Sequence, residues 1–550
     1  MAIWSQSYDP CGNIFLSASI AAIPAILLLS LVAGLNVRIH IAACAALAAC
    51  LAIAIGFYHM PSAYAAASTV YGAGYGLFPI GWLVLNIIFV YQLTVKRGLF
   101  DVLRRSLAQV APDPRVQIIL IAFAFGAFLE GMSGFGAPVA ITAAILIQLG
   151  FRPLHASGLA LVANTAPVAF GSLGIPLTTL QQVTDLDIHA LSATTGALLA
   201  PFSFGIPFLI VIMFAGWRGL AGIWPAALVA GLSYTIPQWI LATWHGPWLA
   251  APVAGLSCIA SLVILLRFWR PRELLGFNSE GRLLPVAESA LAAESPDSPR
   301  RIFYAWLPWA ILTALILIWG VPQVQNALDR IFSADLDMPY LHNLVRRMPP
   351  VVLTHATPIK AVFTLHVLSA TGTGIFVGSI LIGLVIGYSP FEWMATYLET
   401  LWHIRFSLLT IAAMLAFGNV TRYSGADGTM GLALAHSGRL YPFFGTLLGW
   451  IGAAITGSDT STNVLFGSLQ KITAQQIGIS ASLMCAANTC GGVMGKMISS
   501  QSIVVASTAT NWYGHEGRIL RYVFLTSLIL AAIMGVLVCF AAYAVPLLTK

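Results

Sequence analysis

The sequence predicts an all-α polytopic membrane protein with about 12 transmembrane helices plus two re-entrant hairpins, arranged as an inverted repeat. Three observations predict it. Hydrophobic residues make up 59% of the 550-residue chain and charged residues 8%, where a soluble globular protein carries roughly 25% charged residues. Apolar runs long enough to cross a bilayer as helices, about 20 residues each, recur along the whole length without the alternation of barrel strands. The chain also repeats one pattern: an apolar stretch broken by a glycine-rich segment with one carboxylate, then a second stretch interrupted at Ala-Asn-Thr.

Asp9 and Pro10 precede the first apolar run, and with no Lys or Arg ahead of it the run at 12–35 reads as a span rather than a cleaved signal. Arg38 and His40 close it. Spans at 38–58 and 66–93 follow, the latter ending at Lys96 and Arg97. The stretch 118–150 carries Glu130-Gly131-Met132-Ser133-Gly134-Phe135-Gly136 near its middle, as expected of a hairpin that enters and leaves on one side. A broken helix at 154–180, interrupted at Ala163-Asn164-Thr165, and spans at 190–215, 222–243 and 249–268 complete an N-terminal membrane half, 1–268. Residues 269–301 form a cytoplasmic linker, flexible over 277–299 where Glu, Ser, Pro and Ala dominate.

The C-terminal half, 302–550, has spans at 302–320, 368–387 and 405–421. Its hairpin, 442–474, is broken by Gly457-Ser458-Asp459-Thr460-Ser461-Thr462-Asn463. A broken helix at 480–510, interrupted at Ala487-Asn488-Thr489, and a span at 519–547 end the chain. Residues 322–350 are too polar to span, while 351–366, with Lys360 and His366, reads equally as re-entrant, interfacial or partly spanning.

Positive loops face the cytoplasm. Lys96, Arg97, Arg104, Arg105 and Arg115 fall on the same side as Arg267, Arg270, Arg272, Arg282, Arg300 and Arg301, together with Arg38, Arg152, Arg218, Arg518 and Arg521. The segments 59–65 and 181–189 contain no Lys or Arg and fall on the other side, so both termini face outward. Arg330, Arg346 and Arg347 in the outer loop 321–350 run against the pattern. With this topology the first hairpin enters from the cytoplasm and the second from outside. Five spans with a hairpin, two connecting spans, then five spans with a hairpin make the inverted repeat of an alternating-access secondary transporter.

A carboxylate at mid-membrane costs roughly 2.5–3.5 kcal/mol, which makes it a functional candidate. Removal from water favours the protonated form of a carboxyl, so Glu130 and Asp459 are the expected proton-coupling residues. Against this, each carboxylate could merely fix its hairpin tip by accepting backbone hydrogen bonds. Asp459, among Ser458, Thr460, Ser461, Thr462 and Asn463, is equally suited to binding a ligand or cation. Asn164, Thr165, Ser458, Asn488, Thr489 and Lys496 are the candidate substrate-binding residues, because half-helix N-termini at such breaks hold small organic anions. The plainer reading of the Asn and Thr residues is hydrogen bonding between helices. Lys496 pairs with substrate or a buried carboxylate, or else snorkels to the surface. Gly131, Gly134, Gly136 and Gly457 supply the hairpin bends. Arg405 and Arg422 bracket one span, at opposite interfaces or facing a water-filled cavity.

No phosphate-binding loop of the G-x-x-x-x-G-K-[ST] type occurs, so energy comes from a gradient. No cofactor, metal-ligand spacing or nucleophile constellation is visible, and no enzyme is expected. The scattered basic residues speak against nucleic acid, and the seven cysteines read as small packing residues.

Phe128-Leu129-Glu130-Gly131-Met132-Ser133-Gly134-Phe135-Gly136-Ala137-Pro138-Val139-Ala140, Asn164-Thr165-Ala166-Pro167-Val168-Ala169-Phe170-Gly171, Thr456-Gly457-Ser458-Asp459-Thr460-Ser461 and Gly495-Lys496-Met497-Ile498-Ser499 resemble the L-lactate permease family. So do Tyr8-Asp9-Pro10, Trp217-Arg218-Gly219 and Leu368-Ser369-Ala370-Thr371-Gly372-Thr373, and the likeness covers essentially the full chain. The resemblance implies proton-coupled uptake of L-lactate, D-lactate, glycolate and related 2-hydroxymonocarboxylates across a bacterial inner membrane. The implied partners are these small anions, protons and the lipid bilayer, and a homodimer is compatible with it. The motif positions carried over are Glu130, Asn164, Thr165, Ser458, Asp459, Asn488, Thr489 and Lys496. Residues 354–368 depart from the family, which has an aromatic-rich stretch there. The rival readings are a sodium-coupled anion symporter, a passive channel and a membrane-embedded enzyme.

Overall fold

A computed structural model describes residues 3–31, 35, 37–99, 102, 111–132, 134, 136–277, 283–285, 298–352 and 356–544. Arg104, Arg105, Arg282, Ser133, Phe135, Thr354, His355 and most of 277–299 lie outside them. Helix α1 (Ile14–Leu29) starts where the Asn13 side chain accepts the backbone N–H groups of Phe15 and Leu16, a cap that satisfies otherwise orphaned donors. After α2 (Ile39–Gly56) come α3 (Ser62–Tyr75) and α4 (Trp82–Lys96), one apolar run of 35 residues interrupted at Phe78, whose backbone is extended (φ −137°, ψ 124°). The arms of the first hairpin are α5 (Pro114–Met132) and α6 (Ala137–Gln148). Helices α7 (Pro153–Ala163) and α8 (Gly171–Thr184) meet at a bend of 62°. Helix α9 (Ile188–Trp244) is 57 residues long, nearly three times what a bilayer requires, and is kinked at Gly216 (φ 68°) between the two spans expected there. Helix α10 (Ala250–Phe268) closes this half.

Part of the expected flexible linker is ordered: β2 (Leu275–Phe277) and β3 (Leu283–Pro285) pair antiparallel, Leu275 opposite Pro285. Helices α11 (Pro299–Gly320) and α12 (Pro322–Ile331) follow. A cap of short strands comes next. Strand β4 (Ala334–Asp337) runs antiparallel to β7 (Val362–Leu365), and β5 (Val345–Arg347) pairs with β6 (Thr357–Pro358) and with the N-terminal β1 (Trp4–Ser5). The described residues of 351–366 thus carry two short strands rather than a re-entrant or spanning helix, because β6 and β7 pair with the preceding polar loop.

Helix α13 (Thr371–Val385) leads to α14 (Pro390–Ser424), which starts well before the expected 405. Ser389 and Glu392 form a reciprocal capping box, and the polar first turns reach Lys96 and Arg97 through Lys96–Glu399 (2.5 Å) and Arg97–Glu392 (3.2 Å). Polarity hid this part of the helix from a hydropathy reading. The short α15 (Ala426–Ala435) was not expected at all. Helices α16 (Tyr441–Thr456) and α17 (Asp459–Ile477) form the second hairpin, turned by Gly457 at φ 76°. Helices α18 (Ala481–Lys496), α19 (Ser500–Ala509) and α20 (Glu516–Ala544) end the described chain.

Among the described residues six helices are long and apolar enough to cross a membrane, or seven counting the bent pair α7–α8; α1, α2, α6 and α13 are apolar but shorter. Elements far apart in the chain pack on each other. Helix α8 packs on α17, and α19 packs on α6. Asn463 Nδ2 donates to Pro176 O (3.1 Å) and Lys471 Nζ to Thr184 O (2.6 Å) across the first of these contacts. Helices α16 and α18 pack closely: a Cβ on Gly449, Gly491 or Gly495 would strike the facing backbone at Asn488, Thr446 or Trp450. Small residues let membrane helices approach this closely where no hydrophobic force distinguishes protein from lipid.

Gly491→Val is expected to destabilise the fold by at least about 1–3 kcal/mol, the usual cost of overpacking. Thermal unfolding of the purified protein in detergent measures it, and an unchanged midpoint would show that α16 and α18 can separate freely.

Candidate functional site

Glu130 lies in the last turn of α5, 1% exposed. Its Oε1 accepts a hydrogen bond from Lys496 Nζ at 2.8 Å, an ion pair with side chains 2% and 12% exposed. Lys496 therefore neither snorkels nor sits at a surface; it ends α18 and pairs with the carboxylate on α5. Glu130 Oε1 also abuts Gly171, the first residue of α8, where a Cβ would lie 3.0 Å away. Its Oε2 has no hydrogen-bond partner among the described residues.

Asp459 is the first residue of α17 and is 3% exposed. Both of its carboxylate oxygens are buried without a hydrogen-bond partner among the described residues, and Oδ1 packs against Gly492. Lys496 is near enough to act on it electrostatically. Ser458 caps α17 by accepting the Ser461 N–H (3.2 Å).

These groups line a cavity of about 680 Å³. Four helices present their first turns or caps to it: α6 through Gly136, α8, right-handed only after the positive-φ residues Ser172, Leu173 and Gly174, through Ile175 and Pro176, α17 through Asp459, Thr460 and Ser461, and α19 through Gln501 and Ser502. Each helix N-terminus carries roughly half a positive charge and unpaired N–H groups. Four of them with one ammonium favour an anion, and two carboxylates set the charge balance.

The expected site residues do not all meet here. Glu130, Gly134, Gly136, Gly457, Ser458, Asp459 and Lys496 line the cavity, whereas Gly131 packs on Pro252. Asn164, Thr165, Asn488 and Thr489 do not line it. Helix α18 runs unbroken through Asn488 and Thr489, and the interruption falls instead at 497–499, capped by Ser499. The reason is that Asn488 and Thr489 are satisfied sideways. Both donate to Asn463 Oδ1 (2.9 and 3.0 Å), and Gln470 Nε2 donates to Asn488 Oδ1 (3.2 Å). In the first copy α7 does end at Asn164, and the Asn164 Oδ1 and Thr165 Oγ1 atoms are buried without partners among the described residues.

Gln501 and Arg422 also line the cavity. The run Ser499-Ser500-Gln501-Ser502, polar within an apolar stretch and just beyond Lys496, was the overlooked signal for Gln501. Sequence also missed three buried carboxylates outside the cavity. Asp113 is held by Arg115 (2.6 Å) and Glu516 by Ser507 (2.9 Å), both fully structural arrangements, while Asp427 is less well satisfied.

A helical fold with bilayer-length apolar helices around a buried, charged cavity defines a multi-pass membrane protein. Residues 17–545 match the family model of L-lactate permease, and the chain belongs to that family. It is 42% identical to the L-lactate permease of Escherichia coli K12 over 549 residues, 99% of each chain. It is equally 42% identical to the glycolate permease GlcA of that organism over 99% of each chain, and 40% identical to the L-lactate permease of Bacillus subtilis over 97% of each.

Breaking a buried ion pair by removing one partner costs about 3–5 kcal/mol, since the other charge is stranded. Glu130→Gln and Lys496→Met are each expected to lower stability by an amount of this order, and the double variant to recover most of it. A double variant that melts no higher than either single one would mean that the pair does not hold α5 to the end of α18.

Proposed function

We propose that this chain is a proton-coupled secondary transporter that takes up L-lactate, D-lactate, glycolate and related 2-hydroxymonocarboxylates by alternating access. The observation that carries the reading is the Lys496–Glu130 pair set among four helix N-termini beside the unpaired Asp459. The relatives named L-lactate permease and glycolate permease supply the substrate class.

In this mechanism the substrate carboxylate competes with Glu130 for Lys496. When substrate takes the ammonium, Glu130 accepts a proton and is neutral; when substrate leaves, Glu130 loses the proton and pairs again with Lys496. Either way the ammonium faces one negative charge, so neither form leaves an uncompensated ion in a low-dielectric site. One proton thus accompanies one anion. Asp459, with both oxygens unpaired, is the second candidate for holding a proton or a substrate hydroxyl.

The halves 1–268 and 302–550 act as the two units of an inverted repeat, with re-entrant hairpins at α5–α6 and α16–α17. The exchange of contacts, α8 with α17 and α19 with α6, supports that arrangement. The cavity is lined on one side by Gln325, Asp329, Thr364, His366 and Ser369, a segment that the distribution of positive charge puts outside, so this conformation receives substrate from outside. A sodium-coupled symporter is the alternative.

Labelled L-lactate uptake into proteoliposomes separates the two: accumulation driven by a pH gradient in sodium-free buffer is expected, and strict dependence on sodium would replace the proton. For Glu130→Gln the expectation is loss of proton-driven accumulation with exchange of labelled for unlabelled lactate retained. Accumulation by that variant would remove Glu130 as the coupling group. Lys496→Met is expected to lose both accumulation and exchange.

A further inference from the structure

One cation in the cavity is not used by this mechanism. Leu415, Asn419 and Arg422 of α14 line the cavity, and their spacing places them on one face of the helix. Arg422 Nε is buried without a hydrogen-bond partner, and Arg422 forms no ion pair among the described residues. Its backbone carbonyl is fixed, accepting from Gln6 Nε2 at 2.9 Å.

The nearby charges do not neutralise it. Arg347 on β5 is a second cation in its field, and burial first, then Arg422, disfavour the protonated state of Arg347. Asp427 acts on both arginines but pairs with neither within ion-pair distance; its Oδ1 accepts the Gly428 N–H at 2.5 Å and its Oδ2 has no partner among the described residues. Asp329, on the cavity wall, is engaged by Ser369 (2.5 Å) and His366 (2.9 Å). Lys496 acts on Asp459, whereas Arg422 acts on Tyr71, Tyr423, Arg347 and Asp427. Arg422 lies near the end of α14 and Lys496 at the end of α18, so the two cations reach the cavity from different elements. At about 680 Å³ that cavity is in the range of pockets for drug-sized ligands, roughly 300–1,000 Å³, and far exceeds a three-carbon acid.

We propose that Arg422 forms a second carboxylate-binding site in the cavity, which holds a small hydroxymonocarboxylate before it passes to Lys496. The inference rests on the lactate reading above. A guanidinium fork suits a carboxylate, binding it through two parallel hydrogen bonds. An unpaired cation at an accessible cavity also raises the local anion concentration and the rate of capture, an effect that falls with ionic strength.

Equilibrium binding of labelled L-lactate to the purified full-length protein tests this. The wild type is expected to bind two lactates per chain, Arg422→Gln one, and Lys496→Met one. Arg422→Lys, which keeps the charge but not the fork, is expected to bind two, the outer one about tenfold more weakly. In proteoliposomes the initial uptake rate of the wild type is expected to fall as salt rises, and that of Arg422→Gln to respond much less, a difference that a purely structural role would not produce. One lactate per wild-type chain, or two for Arg422→Gln, overturns the second site and leaves the lactate reading standing. No lactate bound by any form overturns that reading and the second site with it.

Discussion

An ammonium and a carboxylate 2.8 Å apart, on residues separated by 366 positions in the chain, tie α5 to the end of α18. Neither charge could stay buried alone: the desolvation of each is offset only by the other and by nearby hydrogen-bond donors. Much of the surrounding architecture follows from meeting that need. Helix α5 must carry Glu130 in its last turn, α18 must run unbroken to Lys496, and Gly171 must leave room for the carboxylate at the start of α8.

The helix breaks are the second constraint. Backbone that leaves helical geometry inside a membrane needs partners or water, and here residues at the breaks line a shared cavity. The serines that cap α17 and α19 accept some of those donors, through Ser458 with Ser461 N and Ser499 with Ser502 N. The remaining positive potential offsets the cost of keeping Glu130 and Asp459 in the interior. Close approach of α16 and α18, made possible by glycines on both faces, holds the second hairpin against the helix that carries Lys496.

Much of this was legible in the sequence. Helix breaks fall where the glycine-rich carboxylate segments predicted them, with α16 and α17 meeting at Gly457 and α5 and α6 flanking Gly134 and Gly136. The duplicated Ala-Asn-Thr was less faithful. It marks a break in the first copy, but in the second its side chains bond to Asn463 and Gln470 and the helix continues to Lys496. The two copies are alike in sequence and differ in what faces them. Hydropathy likewise hid the first turns of α14, whose charged residues meet Lys96 and Arg97, and read 351–366 by its apolar content when its strands are set by pairing with 334–347.

The membrane-embedded helical class, the helix breaks at the two glycine-rich segments and the family could be read from the sequence alone, because these depend on composition, on glycine and proline at fixed places, and on local runs of apolar residues. Only the tertiary structure decided that Lys496 pairs with Glu130, that Asn488 and Thr489 serve helix packing away from the cavity, and that Gln501 and Arg422 share the cavity with Asp459. Those outcomes turn on which residues distant in the chain come within a few ångströms of each other. No local pattern specifies that; it is set by how distant elements pack.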